Sequence, residues 1–138
     1  MIVVDASAIA LALLDDGPLG EKSRTVLSDD TEWVAPAHLI TEVASVIRGH
    51  TLGSKLSTER AVDAIAALAE MTISLSDCQN LLTRIWELRH NLTAYDGAYV
   101  ALAESLHVPL ITADTRLANS PGITCTIINL DSSTELSR

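Results

Sequence analysis

Phenylalanine is missing from this chain, and aromatic residues make up only 3% of its 138 positions. A core built without them rests on Ala, Leu, Ile and Val, which suits thin, Ala-faced helices packed closely on a sheet. Cysteine is scarce as well. Cys78 and Cys125 are the two thiols, they form no CxxC pair, and they supply no disulfide framework. Both read as inert core residues. No apolar run approaches the ~20 residues that a membrane span requires. The start, MIVVDAS, lacks the basic n-region of a signal peptide, so a cytoplasmic protein is expected. Basic residues are few: 9 Lys and Arg stand against 18 Asp and Glu, a net charge of −9. That balance argues against holding nucleic acid on a broad basic surface. It leaves open an acidic, cation-loaded site that acts on nucleic acid, and it suits a basic protein partner.

What is present points to one globular domain. The chain is 48% hydrophobic with a mean hydropathy of +0.28, enough to bury a core at this length. There is no internal repeat and no linker. Short apolar runs at residues 2–4, 33–35, 72–75, 109–111 and 126–128 read as buried parallel strands. Helical patterns alternate with them. One helix is expected from Asp5 through Leu14 and, beyond the break at DDGP, a second over residues 19–27. Leu39, Ile40, Val43, Val46 and Ile47 form an apolar stripe that ends near Gly53. Ser57 can cap the next helix through Ala69. Ser76 with Gln79 reads as a capping box opening a helix toward His90. Tyr95, Ala98, Tyr99, Leu102 and Leu106 make another stripe. Strand and helix alternating in one chain predict an α/β fold with right-handed crossovers and helices on both faces. The domain is expected to fill residues 1–130, with residues 131–138 a polar C-terminal tail.

Four carboxylates carry the chemistry. Asp5 ends the IVV strand, Glu42 lies at the border of an apolar helical stripe, Asp96 stands in LTAYDGAYVALAE, and Asp114 follows PLITA. Each has an ordinary explanation. Asp5 and Asp114 can cap helices, Glu42 can be a solvated glutamate, and Asp96 can close a capping box with Thr93. Those explanations do not predict that all four gather at the carboxyl edge of one parallel sheet, where such folds bind ligands. Carboxylates gathered there repel one another unless a cation sits among them. Hard ions such as Mg²⁺ or Mn²⁺ prefer oxygen ligands, can activate a water and neutralise charge on a phosphate. Ser7 and Thr112 flank the expected site and can orient a carboxylate, or can make only local turn bonds. Other chemistries are thin. His38, His50, His90 and His107 show no ligand spacing, there is no GxSxG elbow, and no Gly-rich phosphate loop occurs. Trp33 and Trp86 read as core residues.

VVDASA, TEVASVIR, LTAYDGAYVALAE and PLITADTRLA, in this order over residues 1 to about 130, resemble the PIN-domain ribonucleases, specifically the VapC-like toxins of prokaryotic toxin–antitoxin pairs. The resemblance implies a five-stranded parallel sheet of order 3-2-1-4-5 and a Mg²⁺- or Mn²⁺-dependent endoribonuclease that inhibits translation. It implies Asp5, Asp96 and Glu42 as the main catalytic and metal-binding acids, completed by Asp114, with Ser7 and Thr112 in support. It also implies RNA as substrate, homodimers, and neutralisation by a small VapB-like antitoxin. Arg48, Arg89 and Arg116 are candidate RNA contacts. The alternatives are a non-catalytic RNA-binding PIN domain and a Mg²⁺-binding phosphotransfer domain. A haloacid dehalogenase-type phosphatase needs an Asp where Ser7 stands and a late Lys, yet no Lys follows Lys55. A receiver domain needs a Lys at the end of its last strand, where Asn129 stands.

Overall fold

Three β-branched residues open the chain. Ile2–Val4 (β1) are stiff at χ1 and favour the extended backbone, and in the structure, a computed structural model that describes residues 1–132, they form the central strand. The other strands are β2 (Trp33–Pro36), β3 (Ser74–Ser76), β4 (Leu110–Thr112) and β5 (Ile127–Asn129). All pair in parallel in the order β3-β2-β1-β4-β5. Val3 pairs with Val34 on one side and with Leu110 on the other. The α/β class is the one expected from the alternation of strands and helices, and the sheet order is the one the PIN-domain resemblance implies.

Helices α1 (Ala6–Leu14), α2 (Pro18–Ser28), α3 (Leu39–Leu52), α4 (Thr58–Glu70), α5 (Leu82–Glu87), α6 (Ala94–Leu106) and α7 (Thr115–Ala118) cover the sheet. None of the described residues form a helix long and apolar enough to cross a membrane. The core runs through the middle strands. Val3, Val4, Leu110 and Ile111 are wholly buried, each contributing about 1.5–3 kcal/mol before entropy is charged against it. On α6, every residue from 97 to 103 is buried. Three alanines let this helix approach the sheet closely, Gly97 lets it pack against α5, where a Cβ would lie 3.5 Å from the Ile85 side chain, and Tyr99 is among the largest fully buried side chains. The break between α1 and α2 is set by Asp15, whose carboxylate accepts from the Gly17 and Gly20 amides at 3.2 and 2.7 Å. Gly20 has no substitute there, because a Cβ would lie 2.0 Å from the Asp15 carbonyl oxygen.

Several expectations change. The strand over residues 72–75 is displaced to Ser74–Ser76 and is exposed rather than buried, because it is an edge strand with one neighbour. Ser76 and Gln79 do not form a capping box. Asp77 instead accepts from the Gln79 amide at 3.0 Å, Cys78 turns left-handed at φ 61°, and a 3₁₀ turn at Gln79–Leu81 leads into α5, which stops at Glu87 rather than His90. Trp33 packs against the core and donates its indole N–H to the Leu27 and Asp30 carbonyls, both at 3.0 Å. Trp86, expected in the core, is 67% exposed with the Arg89 guanidinium 4.8 Å above its ring. Cys78 and Cys125 are both free, the first buried and the second half-buried. Of the polar tail expected at residues 131–138, residues 133–138 lie outside the described residues.

Candidate active site

The carboxyl edge of the sheet is built around Asp5. Leaving β1, it caps α1, with Oδ1 accepting from the Ala8 amide at 3.0 Å. The same oxygen accepts from the Ser7 hydroxyl at 2.7 Å, and Oδ2 accepts from the Thr112 hydroxyl. Both hydroxyls also accept, Ser7 from the Ala113 amide at 2.8 Å and Thr112 from the Asp114 amide at 2.9 Å. The end of β1 is thereby bolted to the end of β4. Ser7 and Thr112 orient the carboxylate, and the turn reading and the orienting reading hold together. Asp5 is 4% exposed. Burial pushes its pKa up to about 6, against the hydrogen bonds from Ser7, Thr112 and Ala8 and with help from the charge of Asp114.

Asp96 sits in the first turn of α6, where Thr93 caps and accepts from the Asp96 amide at 3.1 Å. Only that half of the expected capping box forms. The Asp96 carboxylate turns instead to Arg116, which donates to its Oδ2 at 2.8 Å. Asp114 caps α7, accepting from the Leu117 amide at 3.2 Å, and its other oxygen is 3.4 Å from the same Arg116 nitrogen. Arg116 is thus a cation between two of the four acids. Those two acids together hold its guanidinium firmly protonated, the Asp96 hydrogen bond foremost. Of the other arginines proposed for RNA, Arg48 lies beside the apolar groove between α3 and α4, and Arg89 lies over Trp86. The structure brings neither to the carboxylates.

Glu42, on α3, is not a freely solvated glutamate. The Tyr99 hydroxyl, reaching from α6, donates to Oε1 at 2.9 Å. His38 Nε2 stands 3.1 Å from that oxygen, badly aligned for a hydrogen bond and with no other partner among the described residues. The His38 ring is wedged edge-on between Tyr95 and Tyr99 at 5.2 Å from each. Burial raises the Tyr99 pKa, and the charges of Glu42, Asp5 and Asp96 raise it further, so all three acids bear on one hydroxyl. Tyr99 and His38 are site residues that reading the sequence missed. Their signals were the helical spacings His38–Glu42 (i, i+4) and Asp96–Tyr99 (i, i+3), which put each on the face of an acid already singled out.

The four acids therefore meet at one edge of the sheet without forming a closed cluster. Among the described residues no three Asp, Glu, His or Cys converge closely enough to hold a metal ion. The physical reason is repulsion: each acid is drawn off to a donor of its own, Asp5 to hydroxyls, Asp96 and Asp114 to Arg116, Glu42 to Tyr99. The donor set is nonetheless all oxygen, the type that Mg²⁺ and Mn²⁺ take. Arg116 already shows that a cation is held between two of the acids. The residues fit such an ion in kind.

Residues 2–122 match the PIN domain. The chain belongs to the PIN domain family, in its VapC-like branch. It is 40% identical over 126 residues to ribonuclease VapC1 of Mycobacterium tuberculosis, an alignment covering 91% of this chain and 94% of that protein. Ribonuclease VapC9 of the same organism is 38% identical over 128 residues, covering 92% and 96%. In fold, the PIN domain described here is similar to the crystal structure of M. tuberculosis VapC20, a Sarcin-Ricin loop cleaving toxin, with a TM-score of 0.65 at 16% identity over 90% of this chain and 97% of that one. The PIN sheet accounts for the geometry above: Asp5 and Asp114 follow adjacent parallel strands, and α3 and α6 carry Glu42 and Asp96 to the same edge.

Proposed function

We propose that this protein is a metal-dependent endoribonuclease, the toxin of a VapC-type pair, which inhibits translation by cutting RNA in the cytoplasm. One observation carries the reading: a buried Asp5, fixed by Ser7 and Thr112, stands at a sheet edge shared with Asp96, Asp114 and Glu42, in a chain 40% identical to a ribonuclease. Mg²⁺ or Mn²⁺, when bound, supplies positive charge for the phosphate and an activated water. Asp5, Asp96, Glu42 and Asp114 are the acids that hold it. Ser7 and Thr112 keep Asp5 aimed, and Tyr99 keeps Glu42 aimed. Arg116, 61% exposed, can turn from Asp96 toward an RNA phosphate. Arg48 and Arg89 are weaker candidates for the RNA backbone. The nuclease unit spans residues 1–130, forms a homodimer, and is neutralised by a small VapB-like antitoxin whose Arg or Lys suits the net charge of −9.

The test is cleavage of total bacterial RNA by purified protein with Mn²⁺, Mg²⁺ or EDTA, alongside Asp5→Asn to expose a contaminating nuclease. Discrete fragments that need the ion and vanish in the variant are the expected result. Undiminished cutting in EDTA, or none with either ion, overturns the proposal. Tyr99→Phe probes the aim of Glu42 separately. Loss of the one donor, among the described residues, from which Glu42 accepts in good geometry should slow cleavage about 10-fold, in the range typical of residues that orient metal ligands. Stability should fall by only about 1–2 kcal/mol, because Glu42 is partly open to water that can replace the hydroxyl. A urea melt and a cleavage time course on the same preparation check both figures.

A further inference from the structure

Beside the carboxylates, α1, α3 and α4 enclose a cavity of about 480 Å³. Its floor is apolar, from Leu11, Leu14, Val46 and Leu56, and its rim carries His50 and Lys55. We infer that this cavity receives one unstacked nucleotide of the RNA, adjacent to the phosphate that reacts, an inference that rests on the ribonuclease reading above. Continuity is the first argument. Ser7 lines the cavity and its hydroxyl lies 2.7 Å from Asp5 Oδ1, so a strand whose phosphate lies at the acids has its neighbouring nucleoside at this opening. Charge is the second. In a chain with twice as many acids as Lys and Arg, the lining gathers Lys55 and His50, whose side chains have no hydrogen-bond or ion-pair partner among the described residues, while its one acid, Asp15, is turned to the Gly17 and Gly20 amides. An ammonium and an imidazole N–H can both donate to a phosphate.

The third argument is shape and chemistry. The volume falls within the range of small-molecule sites, and an apolar floor suits the faces of a base pulled out of its stack. RNA-binding proteins commonly stack such a base on aromatic rings or on an arginine plane. Among the described residues no Phe, Tyr or Trp lines this cavity, but the His50 imidazole and Arg60 do. Asp16 binds the Arg60 guanidinium at 2.8 and 3.2 Å and the Leu14 carbonyl accepts at 3.3 Å, holding it in place beside the cavity. Packing on an apolar floor and a guanidinium reads little of a base edge, so this subsite grips a nucleotide without strongly choosing among the four.

The experiment is a methyl and amide NMR titration of the full chain, in EDTA, with each of the four nucleoside 5′-monophosphates and with inorganic phosphate. Saturable shifts at the Leu11, Leu14, Val46 and Leu56 methyls with millimolar nucleotide are expected, while phosphate alone moves only signals near His50 and Lys55. Lys55→Glu on the surface and Val46→Trp in the cavity should each weaken binding about fivefold or more. No methyl shift with any of the four nucleotides overturns the inference. So does a shift with a short Leu- and Arg-rich amphipathic peptide but not with nucleotides, which would make the cavity a protein-docking groove. Because the titration needs no cleavage, the two readings fail separately. Nucleotide binding by a chain that cuts no RNA sinks the nuclease alone, and RNA cutting by a chain with silent methyls sinks the subsite alone.

Discussion

Asp5→Asn should leave a protein that cuts RNA at least about 100-fold more slowly yet melts about 4 to 8 °C higher than the parent in EDTA at neutral pH. The rise follows from a buried charge. Asp5 is held at a pKa of about 6 against an ordinary 3.8, which amounts to about 3 kcal/mol of destabilisation once the carboxylate is ionised. Asparagine removes that charge and keeps the shape. Its oxygen can accept from Ser7 and the Ala8 amide, and its NH₂ can donate to Thr112, whose own proton can swing toward Ser7 Oγ 3.4 Å away. Weaker hydrogen bonds to a neutral group return about 1 to 2 kcal/mol of the gain, so relief of the charge wins.

The pH dependence fixes the sign. A carboxylate whose pKa rises on folding favours the folded state at acid pH, fully below about 3.8, and that advantage is lost as pH climbs through about 6. The melting difference between variant and parent should therefore be small or reversed near pH 4, open between about pH 4 and 6 and level off above that window. Melting curves in EDTA across this range read it directly. A variant that melts below the parent at every pH would mean that the Ser7 and Thr112 hydrogen bonds outweigh the charge. On the proposed reading, the carboxylate that is unfavourable alone becomes favourable beside a divalent cation.

How much of this could be read from residue types depends on how local the cause is. IVVD announces a buried strand with an acid at its end, because β-branching and burial act within three residues, and β1 falls at Ile2–Val4 as expected. Asp114 follows the same logic after β4. The sheet order also came out as the motifs implied. Glu42 was harder. Helical phase placed it at the edge of a stripe, and what fixes it, the Tyr99 hydroxyl, arrives from a helix 57 residues away. Arg116 reads as a candidate RNA contact, and its residue type does not reveal its main partner, Asp96, which is 20 residues back. The start of α5 failed for a different reason. Cys78 adopts the left-handed region at φ 61°, where glycine or asparagine is the usual signal, so nothing in its type warned that the helix would begin as a 3₁₀ turn.

Arg116→Ala should move two quantities in opposite directions, tightening Mn²⁺ and slowing cleavage. The guanidinium lies 2.8 Å from Asp96 and 3.4 Å from Asp114, so an ion bound by those acids must displace it. The pair is exposed and screened by solvent, which limits the gain in affinity to about fivefold or less. The loss in rate is larger, about 10- to 100-fold, if the displaced arginine meets the phosphate where charge builds up. Arg116→Lys keeps the charge but loses the planar fork, and should fall between alanine and the parent in rate. Calorimetric Mn²⁺ titration and single-turnover cleavage measure the two effects on the same samples. Weaker Mn²⁺ binding in the alanine variant would show that Arg116 holds Asp96 and Asp114 ready for the ion rather than competing with it. Unchanged values in both would reduce it to a surface ion pair. Opposite shifts would make it a resting-state cation that leaves the acids when the metal arrives and is then available to the substrate.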